Sequence, residues 1–294
     1  MTILLEAVDA GSLSAAGRRL NIPLATVSRR VSELEDYLKI QLLLRGNRKL
    51  VLTEAGRGYV ASCRRILEDL NEAERNASGE YREPHGELII SAPISLSRTH
   101  ALPVVVEFLS NYPHIQMQLS QSDRPVNLIE ENIDVAIRLG DLPDSSLIAT
   151  RVGLVRRVLC ATPQYLETHG TPLDPEELSN HACIGSRATP SAGWMFSKAG
   201  VEYSLSFPHR LMVTSAETAM DAALAHVGIA HLMSYHCVEH VASGRLRIVL
   251  EEFEPPLRPV SFVYASQRQV PLKLRAFLDF ATPKFRGMFG YGVP

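Results

Sequence analysis

The chain has 294 residues, which at about 150 residues per domain predicts two or three domains, and its 46% hydrophobic and 21% charged side chains exclude a disordered chain. Lys and Arg number 30 against 32 Asp and Glu, and the resulting net charge of −2 argues, over the whole chain, against a general polyanion binder. No apolar run reaches the roughly 18 residues of a membrane span, the opening MTILLEAVDAGS lacks the basic start of a signal peptide, and Cys63, Cys160, Cys183 and Cys237 are far apart without a CxxC, so reduced thiols and a cytoplasmic location with no membrane partner are expected.

The charge is unevenly placed. Residues 1–57 carry nine bases and six acids, a local net of +3, whereas the rest of the chain nets −5. The N-terminal bases cluster as Arg18-Arg19, Arg29-Arg30 and Arg48-Lys49, an asymmetry that points to nucleic-acid contact. Ser12 or Ser14 can cap a short helix through Ala15, Ala16 and Leu20, and Asn21-Ile22-Pro23 breaks it. A second helix restarts near Leu24, with Val27, Val31, Leu34 and Leu38 as one buried stripe and Ala25, Thr26, Ser28, Arg29, Arg30 and Ser32 off it. Two short helices around a tight turn, the second polar and basic outside, describe a helix-turn-helix whose second helix fits the major groove. A hairpin follows, with Leu50 and Leu52 alternating with Val51 and Thr53, a turn at Gly46-Asn47, and Arg45, Arg48 and Lys49 around that turn. Thr53-Glu54-Ala55-Gly56 opens another helix.

The run over residues 10–56 closely resembles the DNA-binding domain of LysR-type transcriptional regulators. The resemblance rests on Ala10-Gly11-Ser12, Ser28-Arg29-Arg30, Leu34-Glu35, the wing arginines, and Leu52-Thr53-Glu54-Ala55-Gly56. It implies a winged helix-turn-helix over 1–57 bound to double-stranded DNA. Ser28, Arg29 and Arg30 would then work on the recognition helix with Ala25 and Thr26 near bases, and Arg45, Arg48 and Lys49 would take the backbone or minor groove. It also implies RNA polymerase as a further partner.

From Tyr59, apolar residues recur at Cys63, Ile66, Leu70, Ala73 and Ala77 in steps of 4, 3, 4, 3 and 4, a coiled-coil seam. A linker helix over 58–80 and a hinge over 81–87 are expected. Two-fold DNA sites favour a homodimer through this helix, and the family resemblance implies tetramers as well.

Beyond residue 87 strand and helix alternate: strands over 87–92, 115–120 and 134–138, and helices over 99–110, capped by Ser97, and over 126–132. This order argues for an α/β domain with parallel sheets. A similar cycle recurs over 163–264, and the helix near 272–285 returns to the first lobe. The expected lobes are 88–162 plus 265–294 and 163–264, with crossings near 160–163 and 264–266. Such a two-lobed domain is similar to the family's effector-binding domain, which looks like a periplasmic binding protein closing on a small molecule.

In such sheets ligands bind at the carboxyl ends of strands, near helix N-termini. Ser95, Ser97 and Thr99, then Asp123, then Arg138, and finally Thr214 and Ser215 occupy those ends. Thr214 and Glu217 have capping-box spacing, which suits an anionic effector. Among competing chemistries, His226, His231, His236 and His240 fall close together with Cys237, and His236 and His240 at i, i+4 would form a metal pair without an obvious third ligand. Neither GxSxG nor GxGxxG nor a P-loop is present, so no catalytic residue, cofactor or metal is assigned. The alternative is a small-molecule binding protein or metal-dependent hydrolase using the C-terminal lobes alone. Trp194 faces either the cleft or the core.

Overall fold

The computed structural model describes residues 1–44, 50–77, 83–142, 146–186, 193–266 and 270–290, and of residues 65, 68, 69 and 71–77 the backbone alone. The chain divides into two units, Met1–Glu83 and Pro84–Pro294.

In the first unit, α1 (Thr2–Asp9) buries Leu4, Leu5 and Ala7, and sequence reading did not single it out. For α2 (Leu13–Leu20), Ser12 rather than Ser14 is the cap, its hydroxyl accepting the Ala15 N–H at 3.1 Å. Asn21 then turns left-handed at φ 55° and α3 (Leu24–Leu38) restarts behind Pro23, burying Val27 and Val31 as the spacing predicts. The hairpin begins as a short ladder, with Leu44 N–H on Val51 O at 2.9 Å and Thr53 N–H on Leu42 O at 3.0 Å. Its tip, with Arg45, Arg48 and Lys49, lies outside the described residues.

The expected boundary at 57/58 falls inside a helix. Helix α4 (Glu54–Ala77) is continuous from the wing, its first turn capped by Thr53, whose hydroxyl accepts the Gly56 N–H at 2.9 Å. A Cβ on Gly56 would stand 2.1 Å from Leu42 O, so only glycine lets α4 start this close to the strand. Nor does the seam run as one stripe. Cys63 is buried with Val60, Leu4, Leu5 and Val31 in the unit's own core, while Ile66 and Leu70 are exposed. Val60, Cys63 and Leu67 face inward at steps of 3 and 4, and that stripe leaves only the later residues for a partner. The side chains of Ala73 and Ala77 lie outside the described residues, as does the start of the hinge.

The second unit runs β1 (Gly86–Ala92), α5 (Ile94–Leu96), a π-helical turn over Ser97–Ala101, α6 (Leu102–Asn111), β2 (Ile115–Gln121), β3 (Val135–Leu139), β4 (Leu147–Val155) and β5 (Arg157–Ala161). It continues with α7 (Pro163–His169), β6 (Cys183–Ser186), β7 (Trp194–Lys198), β8 (Val201–Leu205), β9 (His209–Val213), α8 (Ala216–Leu224), β10 (Ile229–Met233), α9 (Ser234–Ala242), β11 (Arg247–Val249), β12 (Arg258–Ala265) and α10 (Leu272–Met288). Two five-stranded sheets result, ordered β2-β1-β3-β12-β4 and β11-β5-β10-β6-β9.

Both sheets are mixed rather than parallel. Strand β12 is antiparallel to β3 and β4, and β5 is antiparallel to β10 and β11, because these strands carry the chain out of one lobe and back. The crossings therefore fall at Arg156 and between β11 and β12, not at 160–163 and 264–266. Pro163, at the end of the expected crossing over 160–163, instead starts α7 behind the Thr162 cap. Two local expectations also change. Residues 126–132 form hydrogen-bonded turns, with Asn127 Oδ1 taking the Ile129 N–H and Asn132 at φ 54°, and they do not continue as a helix. Ser97 is no cap, since the helical backbone begins at Ile94 and the Ser97 N–H already bonds to Pro93 O at 2.7 Å. As anticipated, α10 packs on the first lobe, where Phe277 meets Phe108 edge-on at 5.3 Å.

The two crossings are tied to each other. Arg156 donates from Nε to Glu254 Oε2 at 2.8 Å and from Nη2 to Glu254 Oε1 at 2.7 Å, and Nη2 also reaches Glu251 Oε2 at 3.1 Å. The bond to Glu254 raises the Arg156 pKa above its ordinary value. Glu254 is largely buried and Glu251 exposed. Replacing Arg156 by Met should cost about 3 kcal/mol by stranding the Glu254 carboxylate, and Glu251→Gln less than about 1 kcal/mol because that pair is solvent-screened. Urea unfolding of both variants checks the ranking, and equal losses would contradict the fork as the stronger tie.

Candidate functional site

On α3, Ala25, Ser28, Arg29 and Arg30 are exposed and Thr26 is half-buried, so the face expected to meet DNA is presented outward. Glu33 lies 3.7 Å from Arg29 Nε and 3.2 Å from Arg30 Nη1, weak exposed pairs that an incoming phosphate can replace. The same helix is pinned from behind. Glu35 is 8% exposed, and its Oε1 accepts the Leu42 N–H at 2.7 Å and the Leu43 N–H at 2.9 Å. One carboxylate thus fixes the wing's first strand to the recognition helix. The family landmark Leu34-Glu35 by itself assigns Glu35 no such role. The signal was its place one further i+4 step along the Val27–Val31 stripe, where an apolar residue would be expected.

In the second unit a cleft of about 760 Å³ opens between the two sheets. Asp123 and Arg138 from the first lobe line it, together with Leu142, Leu147 and Arg258, and the second lobe contributes Arg157, Ser186, His231, Tyr235 and His236. Of the seven residues expected there, only Asp123 and Arg138 are in the wall. Asp123 also accepts the Ile94 N–H at 3.0 Å, and Arg138 donates to Ser91 Oγ at 3.3 Å, its pKa lowered by burial. The Ser95 hydroxyl is bonded to Glu217, a contact between lobes, and Thr99 donates to Ser95 O at 2.9 Å. Ser97 is fully buried. Ser215, not Thr214, caps α8 by accepting the Thr218 N–H at 3.2 Å, so Thr218 rather than Glu217 stands three residues past the cap, no capping box forms, and Glu217 bonds to Ser95.

Arg157, Arg258, His231, Tyr235 and His236 were missed as cleft residues. The available signal was a charged residue, Arg157, opening the apolar run Val158-Leu159-Cys160-Ala161. Burial pushes His236 down to about 4 and His231 well below its usual value, so both rings are neutral at pH 7. The histidines are dispersed: His226 bonds to Thr162 at 2.6 Å, His236 Nδ1 to Met233 O at 3.0 Å, and His231 packs 5.0 Å from Trp194. Among the described residues no group of three or more His, Cys, Asp or Glu is placed to hold a metal ion. Trp194 is a core residue whose ring touches the back of the cleft wall through His231.

Comparison with known proteins decides between the readings. Residues 1–57 match the family model "Bacterial regulatory helix-turn-helix protein, lysR family", and residues 81–286 match "LysR substrate binding domain". The regulator CrgA of Neisseria meningitidis is 35% identical over 283 residues, covering 95% of this chain and 94% of that protein. The chain belongs to the LysR family of transcriptional regulators. The CrgA structure superposes with a TM-score of 0.63 at 33% identity over 97% of each chain, and full-length AphB of Vibrio cholerae with 0.62 at 32% identity over 95% and 96%. This LysR-type regulator is thus a DNA-binding protein with an effector-binding domain, and a binding protein or hydrolase made of the lobes alone would leave residues 1–57 without a purpose.

Glu35→Ala in this regulator should destabilise the N-terminal domain by about 3 kcal/mol, since two buried N–H groups lose a charged acceptor. Hydrogen exchange at Leu42 and Leu43 should rise while exchange in the second unit stays unchanged. Unaltered protection at those two amides would show that the carboxylate does not hold the wing.

Proposed function

We propose that this regulator reads duplex DNA with Ser28, Arg29 and Arg30, with Ala25 and Thr26 against base edges and Arg45, Arg48 and Lys49 of the wing on phosphates or in the minor groove. The observation that carries this is the outward polar face of α3, held to the wing root by Glu35. Phosphate contacts set affinity and base contacts set sequence choice. The cytoplasm is its place of work, RNA polymerase its further partner, and catalysis no part of its role. The exposed Ile66 and Leu70 of α4 supply the homodimer contact, with a homotetramer as the larger assembly. An anionic small molecule is the effector, because Arg124, Arg138, Arg157 and Arg258 in the cleft wall outnumber Asp123 and Asp141.

Affinity for DNA should fall linearly on a log–log salt plot with a slope of about −0.9 per phosphate neutralised. Arg29→Ala should weaken binding to every duplex alike, and Arg30→Ala should also relax sequence preference, both read by fluorescence anisotropy. A flat salt response would overturn the reading. For the assembly, the double variant Ile66→Glu, Leu70→Glu should sediment as a monomer and bind a two-half-site operator at least tenfold more weakly. An unchanged sedimentation coefficient would assign the contact elsewhere.

A further inference from the structure

Arg157 and Arg258 hold equivalent places in the two lobes. Arg157 is the first residue of β5 and Arg258 the first of β12, so each stands just past a crossing, one in each sheet. Both line the cleft. Successive residues of an extended chain point to opposite sides, and the pair Arg156-Arg157 uses this: Arg156 goes to Glu254 and Glu251, Arg157 into the cleft. The Nε of Arg157 is buried without a hydrogen-bond partner, and among the described residues neither Arg157 nor Arg258 has an acid within ion-pair distance. Burial first, and then the charge of Arg258, lower the Arg157 pKa to about 10. Gly140, at φ +88°, leaves room for the Arg258 guanidinium: a Cβ there would stand 2.7 Å from Nη2.

Two like charges held partly out of water, one with an unsatisfied donor, are costly for a protein to keep. A planar anion is what relieves both costs at once, since a guanidinium fork matches a carboxylate. The cleft wall also carries apolar side chains, among them Leu128, Leu142, Leu147 and Val263, and its acids, Asp123 and Asp141, oppose a second negative group. These features favour a single anionic head on an apolar body over a phosphorylated sugar or a dianion.

We propose that Arg157 and Arg258 jointly take the head group of an amphiphilic monocarboxylate whose body lies along Leu128, Leu142, Leu147 and Val263, and that this shared anion fixes the angle between the lobes. The proposal rests on the reading of the cleft as the effector site. Because the two arginines sit on different lobes, the anion binds both only at the angle that brings them together. This supplies the differential affinity a switch requires.

Trp194, the single tryptophan, is 5.0 Å from His231 in the wall and reports on the cleft by fluorescence. Full-length protein titrated with phenylacetate and with hexanoate should show saturable changes, with phenylacetamide, hexanamide, acetate and inorganic phosphate each at least tenfold weaker. Arg258→Gln, with an unchanged far-ultraviolet circular dichroism spectrum, should weaken both carboxylates at least tenfold, and Arg157→Lys, which keeps the charge and loses the fork, by a smaller factor. The proposal is overturned if the amides or phosphate bind as well as the carboxylates, or if Arg258→Gln leaves their affinity within twofold. It is also overturned if no carboxylate binds. In that case, neutral metabolites that change both the fluorescence and operator affinity would leave the effector reading standing, and a full neutral and cationic panel without effect would remove that reading too.

Discussion

Everything the second unit does depends on how the chain crosses between its sheets. It crosses twice, at Arg156 and again between β11 and β12, and one guanidinium holds both crossings together through Glu254 and Glu251. Two covalent links and one ion-pair fork therefore set the hinge about which the lobes meet. The Ser95–Glu217 bond adds a second tie away from the crossings, between the first lobe's helix and the N-terminal turn of α8. A domain tied at its foot and latched on one side restricts how its lobes can rotate about the crossings.

The N-terminal unit solves a different problem with the same device. A recognition helix of 15 residues must keep a fixed pose relative to its wing although the unit is small and its core shallow. Burying Glu35 against two backbone N–H groups does this more sharply than an apolar contact would, because hydrogen bonds are directional. Gly56 serves the same end from the other side by letting α4 close onto Leu42. The continuity of α4 from wing to linker follows: the helix that leads away from the DNA-binding head is itself part of that head's core, through Val60 and Cys63.

What could be read from the sequence was what depends on local pattern. The helix-turn-helix follows from Pro23 and the Val27–Val31 stripe, the wing from alternating leucines, and the two α/β lobes from recurring strands and helices. The lobe boundaries were not legible, because β4 and β5 are separated by one residue, Arg156, and the run Leu154-Val155-Arg156-Arg157-Val158 contains no turn residue to mark a change of sheet. Nor does the sequence show that β12 belongs to the first lobe, since its membership is set by hydrogen bonds to β3 and β4, more than 100 residues away. The candidate cleft residues were chosen at strand ends, where serines and threonines are conspicuous. Several of these serve the backbone or one another instead, Ser215 as a cap and Ser95 as the partner of Glu217. Arg138, at the end of β3, was legible in this way, but Arg157 and Arg258 sit at strand beginnings beside the crossings, and their place in the cleft follows only from where the chain changes sheet.

The charge balance shows why sums mislead in such a molecule. Electrostatic influence in water fades over about 8–10 Å at physiological salt, so a net charge of −2 over 294 residues says little about any one surface. The head carries +3 and presents Arg29 and Arg30 on the outer face of α3; the remainder carries −5 and yet gathers four arginines into one cleft against two acids. The acids of the larger domain therefore lie mainly elsewhere on it, and there they repel a polyanion. The anionic effector proposed for the cleft would meet four arginines against two acids there, and the lower dielectric would strengthen that attraction. Both selectivities come from where the charges are placed, and neither is visible in their total.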